Sequence, residues 1–238
     1  MVRKVLKWGL LTIGLLAVTL FIDGVRGGSF NDKVLNELSG DIIYTRRDEA
    51  GVLNLYRSKA NLQNEVLLYS HKSDTNANII AIDYDEGNQV IYFVAFNDDV
   101  MNWDVYELET DGNVHLSNKF SSEELEKQVY NQNLETEDYK LYSENGDLFL
   151  LNKITDEKTK LKDFKGIRDA KFSGGYSAQG ISEDGQHVFY SYGKHLTPMG
   201  VILEGLISDN FEGETYVMNV QTKEVSRYIN FYDLIFVD

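Results

Sequence analysis

IIAIDYDEGNQVIYFVAFNDDVMNWDVYELETDGNVHLSN, residues 79–118, holds four short runs in which apolar and polar side chains alternate. Turn residues at 85–88, a longer polar break at 97–102 and a second turn at 111–113 separate the runs. A period of two over a few residues, bounded by Asp, Asn and Gly, is the pattern of a half-buried strand. The stretch therefore predicts one four-stranded antiparallel sheet.

Fainter copies lie on both sides. Upstream, residues 42–45, 53–57 and 65–69 match the second, third and fourth strands, with a charged loop of Arg46, Arg47, Asp48 and Glu49 between the first two; nothing matches the first strand. Downstream, residues 139–144 and 147–152 flank Asn145-Gly146, a pair suited to a type I′ turn, and residues 159–163 can form an outer strand. A last copy starts at 176–182, turns at Glu183-Asp184-Gly185 and continues through 187–192. An intrusion at 193–213 interrupts it before 214–220 and 224–228 resume. Aligning the third strands puts Tyr56, Tyr106, Phe149 and Tyr216 in register. Repetition of this kind predicts an all-β, β-propeller-like array of about four four-stranded antiparallel blades. Residues 231–237 form one more alternating run, too little for a new blade, and are expected to supply the strand that the first blade lacks. Joining the ends in this way avoids open strand edges.

Two stretches read as helix. Phe30, Val34, Leu35 and Leu38 have helical spacing behind Ser29 and stop at Ser39-Gly40. Ser121 and Glu124 form a capping box ahead of Leu125, Val129, Tyr130 and Leu134, predicting one crossing helix. The expected organisation is an N-terminal membrane or signal segment at 1–28, a short helical linker at 29–40 and the propeller-like domain at 41–238.

The N-terminus carries Arg3, Lys4 and Lys7 before an uncharged run at 8–22, after which Asp23 and Arg26 return the chain to water. The run is shorter than the roughly 20 residues of a full helical span, which favours a cleaved signal. No small-x-small site follows it and Lys7 can lengthen the span by snorkelling, which favours an uncleaved anchor through residues 5–22. The preferred expectation is the anchor, with secretion after cleavage as the alternative. The basic residues precede the run, so either case leaves the body of the protein outside the cytoplasm.

Composition excludes several classes. Asp and Glu number 38 against 23 Lys and Arg, for a net charge of −15, so the protein repels nucleic acid. With no cysteine there is no disulfide, thiolate metal site or catalytic thiol, and no N-terminal lipid-modified cysteine. One proline and 19 glycines leave the turns to Gly, Asn and Asp.

The turn Ser182-Glu183-Asp184-Gly185 before 187–190, followed by Glu214-Thr215-Tyr216-Val217-Met218-Asn219, resembles the TolB-type, WD40-like β-propeller repeats of exported bacterial proteins. In that family a serine, proline, aspartate, glycine turn precedes a strand, and an aromatic-containing strand ending in aspartate follows. Here Glu183 stands for the proline and Asn219 for the aspartate. Asp85-Glu86-Gly87 and Asp104-Val105-Tyr106-Glu107-Leu108 resemble the same pattern. The resemblance implies a binding scaffold more than any one activity.

Loops joining second to third strands share one rim in a propeller, and they hold the candidate binding residues. Arg47 and Asp48 lie in the first such loop. Asp98, Asp99 and Trp103 lie in the second, where carboxylates can ligate a cation and an indole can stack on a sugar, or where Trp103 simply packs at the strand start. The intrusion supplies His195, Met199, Ile202, Leu203, Leu206 and Ile207, which either cap the core or form a contact lip.

No catalytic or metal residue is assigned. Residues 175–180, GYSAQG, miss the nucleophile-elbow spacing, and His71, His115, His187 and His195 lack zinc spacing. Asp83, Asp85 and Asn88 lack the downstream glutamate of a calcium loop. The expectation is a membrane-tethered, extracytoplasmic binding or scaffold module without cofactor, contacting a protein or glycan at the rim, and not an enzyme. Two alternatives stand beside it: a carbohydrate- or peptide-active hydrolase or lyase, which requires a central acidic pocket with a perturbed carboxylate, and a sensory or structural ectodomain of a membrane complex.

Overall fold

The computed structural model describes residues 32–48, 52–70, 79–97, 99, 101–125, 134–165, 174–193 and 214–237. The chain divides into two units, Met1–Asn31 and Asp32–Asp238, and the described residues belong to the second. Among them no helix is long and apolar enough to cross a membrane; the expected span at 5–22 lies outside them.

Among the described residues, fifteen strands form four antiparallel sheets. The first blade contains β1 (Asp41–Arg47), β2 (Leu53–Lys59) and β3 (Val66–Ser70), and the second β4 (Ile79–Asp85), β5 (Val90–Asn97), β6 (Asn102–Leu108) and β7 (Val114–Leu116). The third contains β8 (Tyr139–Glu144), β9 (Asp147–Asn152) and β10 (Glu157–Lys162). The fourth contains β11 (Gly175–Ile181), β12 (His187–Gly193), β13 (Glu214–Asn219) and β14 (Val225–Tyr228). The final strand, β15 (Asp233–Val237), pairs antiparallel with β1, from Asp41 opposite Val237 to Thr45 opposite Asp233, and completes the first blade in the order β15-β1-β2-β3. The C-terminal run thus fills the vacancy that the sequence left in that blade.

Among the described residues the third blade has three strands, in the order β10-β9-β8, where the repeat predicts four. Among the described residues its inner edge carries an isolated bridge between Glu135 and Lys140, flanked by Thr136 N–H to the Tyr139 carbonyl and Leu141 N–H to the Leu134 carbonyl.

The residues aligned from sequence form one structural device. In each blade the third-strand aromatic stands opposite an aromatic on the second strand: Tyr44 with Tyr56, Phe93 with Tyr106, Tyr142 with Phe149 and Tyr190 with Tyr216. Ring centroids are 5.7, 5.4, 5.5 and 5.6 Å apart. Three of these pairs pack into the junction with a neighbouring blade. Tyr44 and Tyr56 face Phe189 and Val217 of the fourth blade, Phe93 and Tyr106 face Ile43 and Leu55 of the first, and Tyr190 and Tyr216 face Leu141 and Leu150 of the third.

The core is therefore an arc of junctions running second–first–fourth–third. Among the described residues no hydrophobic cluster joins the second blade to the third. Instead, Phe120 and Leu125 cover the other face of the second blade. Leu125 begins to do so from a helical turn at 122–125, where the capping box forms: Ser121 N–H donates to Glu124 Oε2 (2.8 Å) and Glu124 N–H to Ser121 Oγ (3.3 Å). The Tyr142–Phe149 pair of the third blade lies in none of the clusters, and Lys158 Nζ sits 4.0 Å over the Phe149 ring.

Within the stretch expected as a linker, residues 32–40 pack against the blades. Helix α1 (Lys33–Glu37) buries Val34 among Ile42, Val217 and Tyr228, and its polar groups meet the fourth blade: Lys33 pairs with Glu224 (2.6 Å), and Asn219 donates to Glu37 (3.0 Å). These partners lie at the end of β13 and beside the start of β14, on the rim opposite the loops that join second to third strands.

Candidate functional site

The second-to-third-strand rim is built by strand ends that stop where polar residues or glycine replace the alternation. β1 ends in Arg46 and Arg47, β8 turns into β9 through Asn145 and Gly146, and β12 ends at Gly193. Both turn residues have positive φ, 53° for Asn145 and 82° for Gly146, as a type I′ turn needs.

Two cavities open on this rim along the inner side of the fourth blade. One, of about 370 Å³, lies between the first and fourth blades and is lined by Arg46, Arg47, Gln179, Ser191, Thr215 and the connection 229–232. The other, of about 440 Å³, lies between the third and fourth blades and is lined by Ser143, Asn145, Gly146, residues 174–177, Ser191 and Gly193. Both are lined by Ser191, and the two adjoining cavities are here called the trench.

Local contacts hold the two arginines. Arg46 gives Nη2 to Glu65 (2.6 Å) and lies 4.5 Å over the Tyr56 ring. Glu65 also accepts the Tyr44 hydroxyl, and burial together with that carboxylate raises the Tyr44 pKa. Arg47 donates Nε to the Tyr232 hydroxyl (2.9 Å) and lies 5.5 Å from the centre of its ring. Planar guanidinium over aromatic rings is a geometry that lysine does not reproduce.

The remaining wall, among the described residues, is neutral. Gln179 donates to Ser191 Oγ (3.2 Å), and Asn230 Oδ1 accepts Thr215 N–H (3.1 Å). The third and fourth blades approach closely at Gly175, where an added Cβ would stand 2.6 Å from Gly146 Cα. Tyr176 N–H donates to the Gly146 carbonyl (2.9 Å), Ala178 N–H donates to Ser143 Oγ (2.8 Å), and the Tyr176 ring lies 4.8 Å from that of Tyr192. Burial, then the neighbouring Tyr192, raises the Tyr176 pKa.

Of the residues singled out in the sequence, Arg47 lines the trench. Asp48 closes the β1–β2 loop, accepting Val52 N–H (2.9 Å) on Oδ1 and Asn54 Nδ2 (3.0 Å) on Oδ2. Asp99 donates its N–H to Asn97 Oδ1 (3.1 Å), and Trp103 packs edge-on against Phe96 at 5.2 Å, within the cluster that Phe120 and Leu125 cover. Neither residue lines the trench. Asp98, His195, Met199, Ile202, Leu203, Leu206 and Ile207 lie outside the described residues.

Sequence reasoning passed over Gln179, Thr215, Asn230 and Tyr232. These are ordinary polar or aromatic residues at strand ends. One signal was available: once residues 231–237 are assigned to the first blade, the connection at 229–232 has to run from the fourth blade to the first across this rim. Asp233 was also missed. It is buried at the junction of the first and second blades, accepts Ala81 N–H on Oδ2 (2.8 Å), and has its pKa raised well above the carboxylate range by burial. It lines neither cavity.

No family model and no curated protein matches the chain. Among solved structures, a protein assigned as TolB from Agrobacterium tumefaciens aligns with 11% identity over 84% of this chain and 64% of its own, at a TM-score of 0.26. An oligogalacturonate lyase in complex with manganese aligns with 11% identity over 80% of this chain and 48% of its own, at a TM-score of 0.24. The chain spans less than two-thirds of the length of either, and neither likeness is close enough to bear on function.

Proposed function

We propose that this chain is a membrane-tethered, extracytoplasmic β-propeller-like module that binds its ligand in the trench along the inner side of the fourth blade. The observation that carries this reading is the convergence of three blades on one rim around two adjoining cavities, with Arg46 and Arg47 already positioned by neighbouring side chains. Preformed concave sites with a few oriented polar groups are the usual form of a ligand site. The tether rests on the basic residues and apolar run of the N-terminus, and the extracytoplasmic placement on their order. Arginine, amide, hydroxyl and glycine groups make up most of the lining, and they support recognition rather than acid–base chemistry.

Photo-crosslinking of the full chain in its native membrane tests the reading. A crosslinking residue at Ser177 in the trench is compared with one at Thr222, on the opposite rim. The expected result is a reproducible adduct from position 177 and none from 222. Equal capture from both, or none from 177, overturns it. Protease added from outside membrane-intact cells should degrade the domain, and a protected domain overturns the placement.

A further inference from the structure

The trench differs from the rest of the protein in charge. Acidic residues outnumber basic ones 38 to 23 in the chain, yet among the described residues the charged side chains lining either cavity are Arg46 and Arg47, both at the same end. An acidic surface repels anions; the guanidinium groups at one end of the cleft, that of Arg46 shared with Glu65, lessen that repulsion locally. The arginine at each position is held, one by Glu65 and Tyr56, the other by Tyr232, so little side-chain order is lost when a ligand arrives.

The other end has a different chemistry. Asn145, Ser177 and Ser191 offer donors and acceptors together, Gly146 and Gly175 bring backbone to the surface, and Tyr176 offers an aromatic side chain. Apolar surface is concentrated at the arginine end, on Ile229, Phe231 and the Tyr232 ring, and the other end is mainly polar. Groups that both donate and accept suit hydroxyls that do the same. Each cavity, at about 370 and 440 Å³, falls in the size range of small-ligand sites.

Building on the binding reading above, we infer that the trench takes an acidic saccharide, with its carboxylate at Arg46 and Arg47 and its neutral, hydroxyl-rich body extending past Ser191 toward Tyr176. A planar guanidinium matches a carboxylate with two parallel hydrogen bonds, which sets the direction in which the sugar lies.

The test uses the full chain in detergent micelles, titrated calorimetrically with a uronate trisaccharide and with its carboxyl-reduced, neutral counterpart. The expected result is that the uronate binds at least about tenfold tighter, the difference one charge-assisted contact supplies. Arg47→Gln should abolish that preference without lowering the melting temperature. Ser177→Trp, at an exposed position that fills the neutral end, should weaken both sugars. Equal affinity for the two sugars, or a preference that survives Arg47→Gln, overturns the inference. So does an absence of sugar binding in a protein whose position 177 still crosslinks to a partner, in which case the binding reading stands and only the ligand class falls. Loss of both signals ends both.

Discussion

Asp233 shows what one residue decides. Its Oδ2 accepts the Ala81 N–H of the neighbouring blade, while Oδ1 and the Thr45 hydroxyl, which share a cross-strand position, are buried without a hydrogen-bond partner. An ionised carboxylate there would lose its hydration with one donor in return. Burial therefore favours the protonated form, and the folded chain binds that proton more tightly than the unfolded chain does. The linkage sign follows. Its contribution is fully favourable below the ordinary carboxylate value of about 3.9 and is lost as pH rises from there toward the raised value. Asp233→Asn keeps an acceptor for Ala81 and offers Thr45 a donor. Thermal unfolding between pH 4 and 8 should show the variant gaining on the wild type as pH rises, and a constant or shrinking difference would count against this account. Gly175 is a second such residue. Gly175→Ala sets a methyl against backbone, 2.6 Å from Gly146 Cα, so the third and fourth blades must separate. A loss of about 1–3 kcal/mol in denaturant unfolding is expected, together with weaker binding in the trench.

At the scale of elements, β15 is the strand on which the array depends. Leu234 is completely buried between the first and fourth blades, and Ile235 and Val237 face the second. Leu234→Ala should cost about 2–5 kcal/mol, whereas Tyr232→Ala, two residues upstream and 47% exposed, should leave stability nearly unchanged. Equal losses would mean that the C-terminal strand is not the closing element. Most of the elements are legible in the sequence because their causes are local. Asn145-Gly146 reads as a turn since few other pairs tolerate two positive φ values, and Ser121 with Glu124 reads as a helix start since each caps the other. The bulges between Ala81 and Asp83 and between Ala178 and Gly180 are not legible. Each lies on an inner strand just beyond an alanine whose N–H is taken by a side chain of the next blade, Asp233 or Ser143, a partner far away in sequence.

At the scale of the molecule, the described blades differ in how much of each is covered. The first and fourth blades pack on both faces, and the second packs on the first and is covered on its other side by Phe120 and Leu125. The third packs on the fourth alone, and Lys158 and Lys160 lie over Phe149 where the repeat elsewhere places a neighbouring blade. Local opening is easiest where the fewest apolar contacts must be given up. Native-state hydrogen exchange should therefore find β9 less protected than β1 and β12; protection equal to β12 would show that the third blade is covered as fully as the others. By itself the sequence determined the all-β class, the strands and turns, the aromatic register and the C-terminal strand that completes the first blade. Alternation, turn chemistry and repetition are properties of neighbours along the chain. Only the tertiary structure decided that the junctions run second–first–fourth–third, that Arg46 and Arg47 meet Gln179, Asn230 and Tyr232 in one cleft, and that Asp233 is sealed between blades. Those outcomes depend on which distant surfaces come together, and no local period records that.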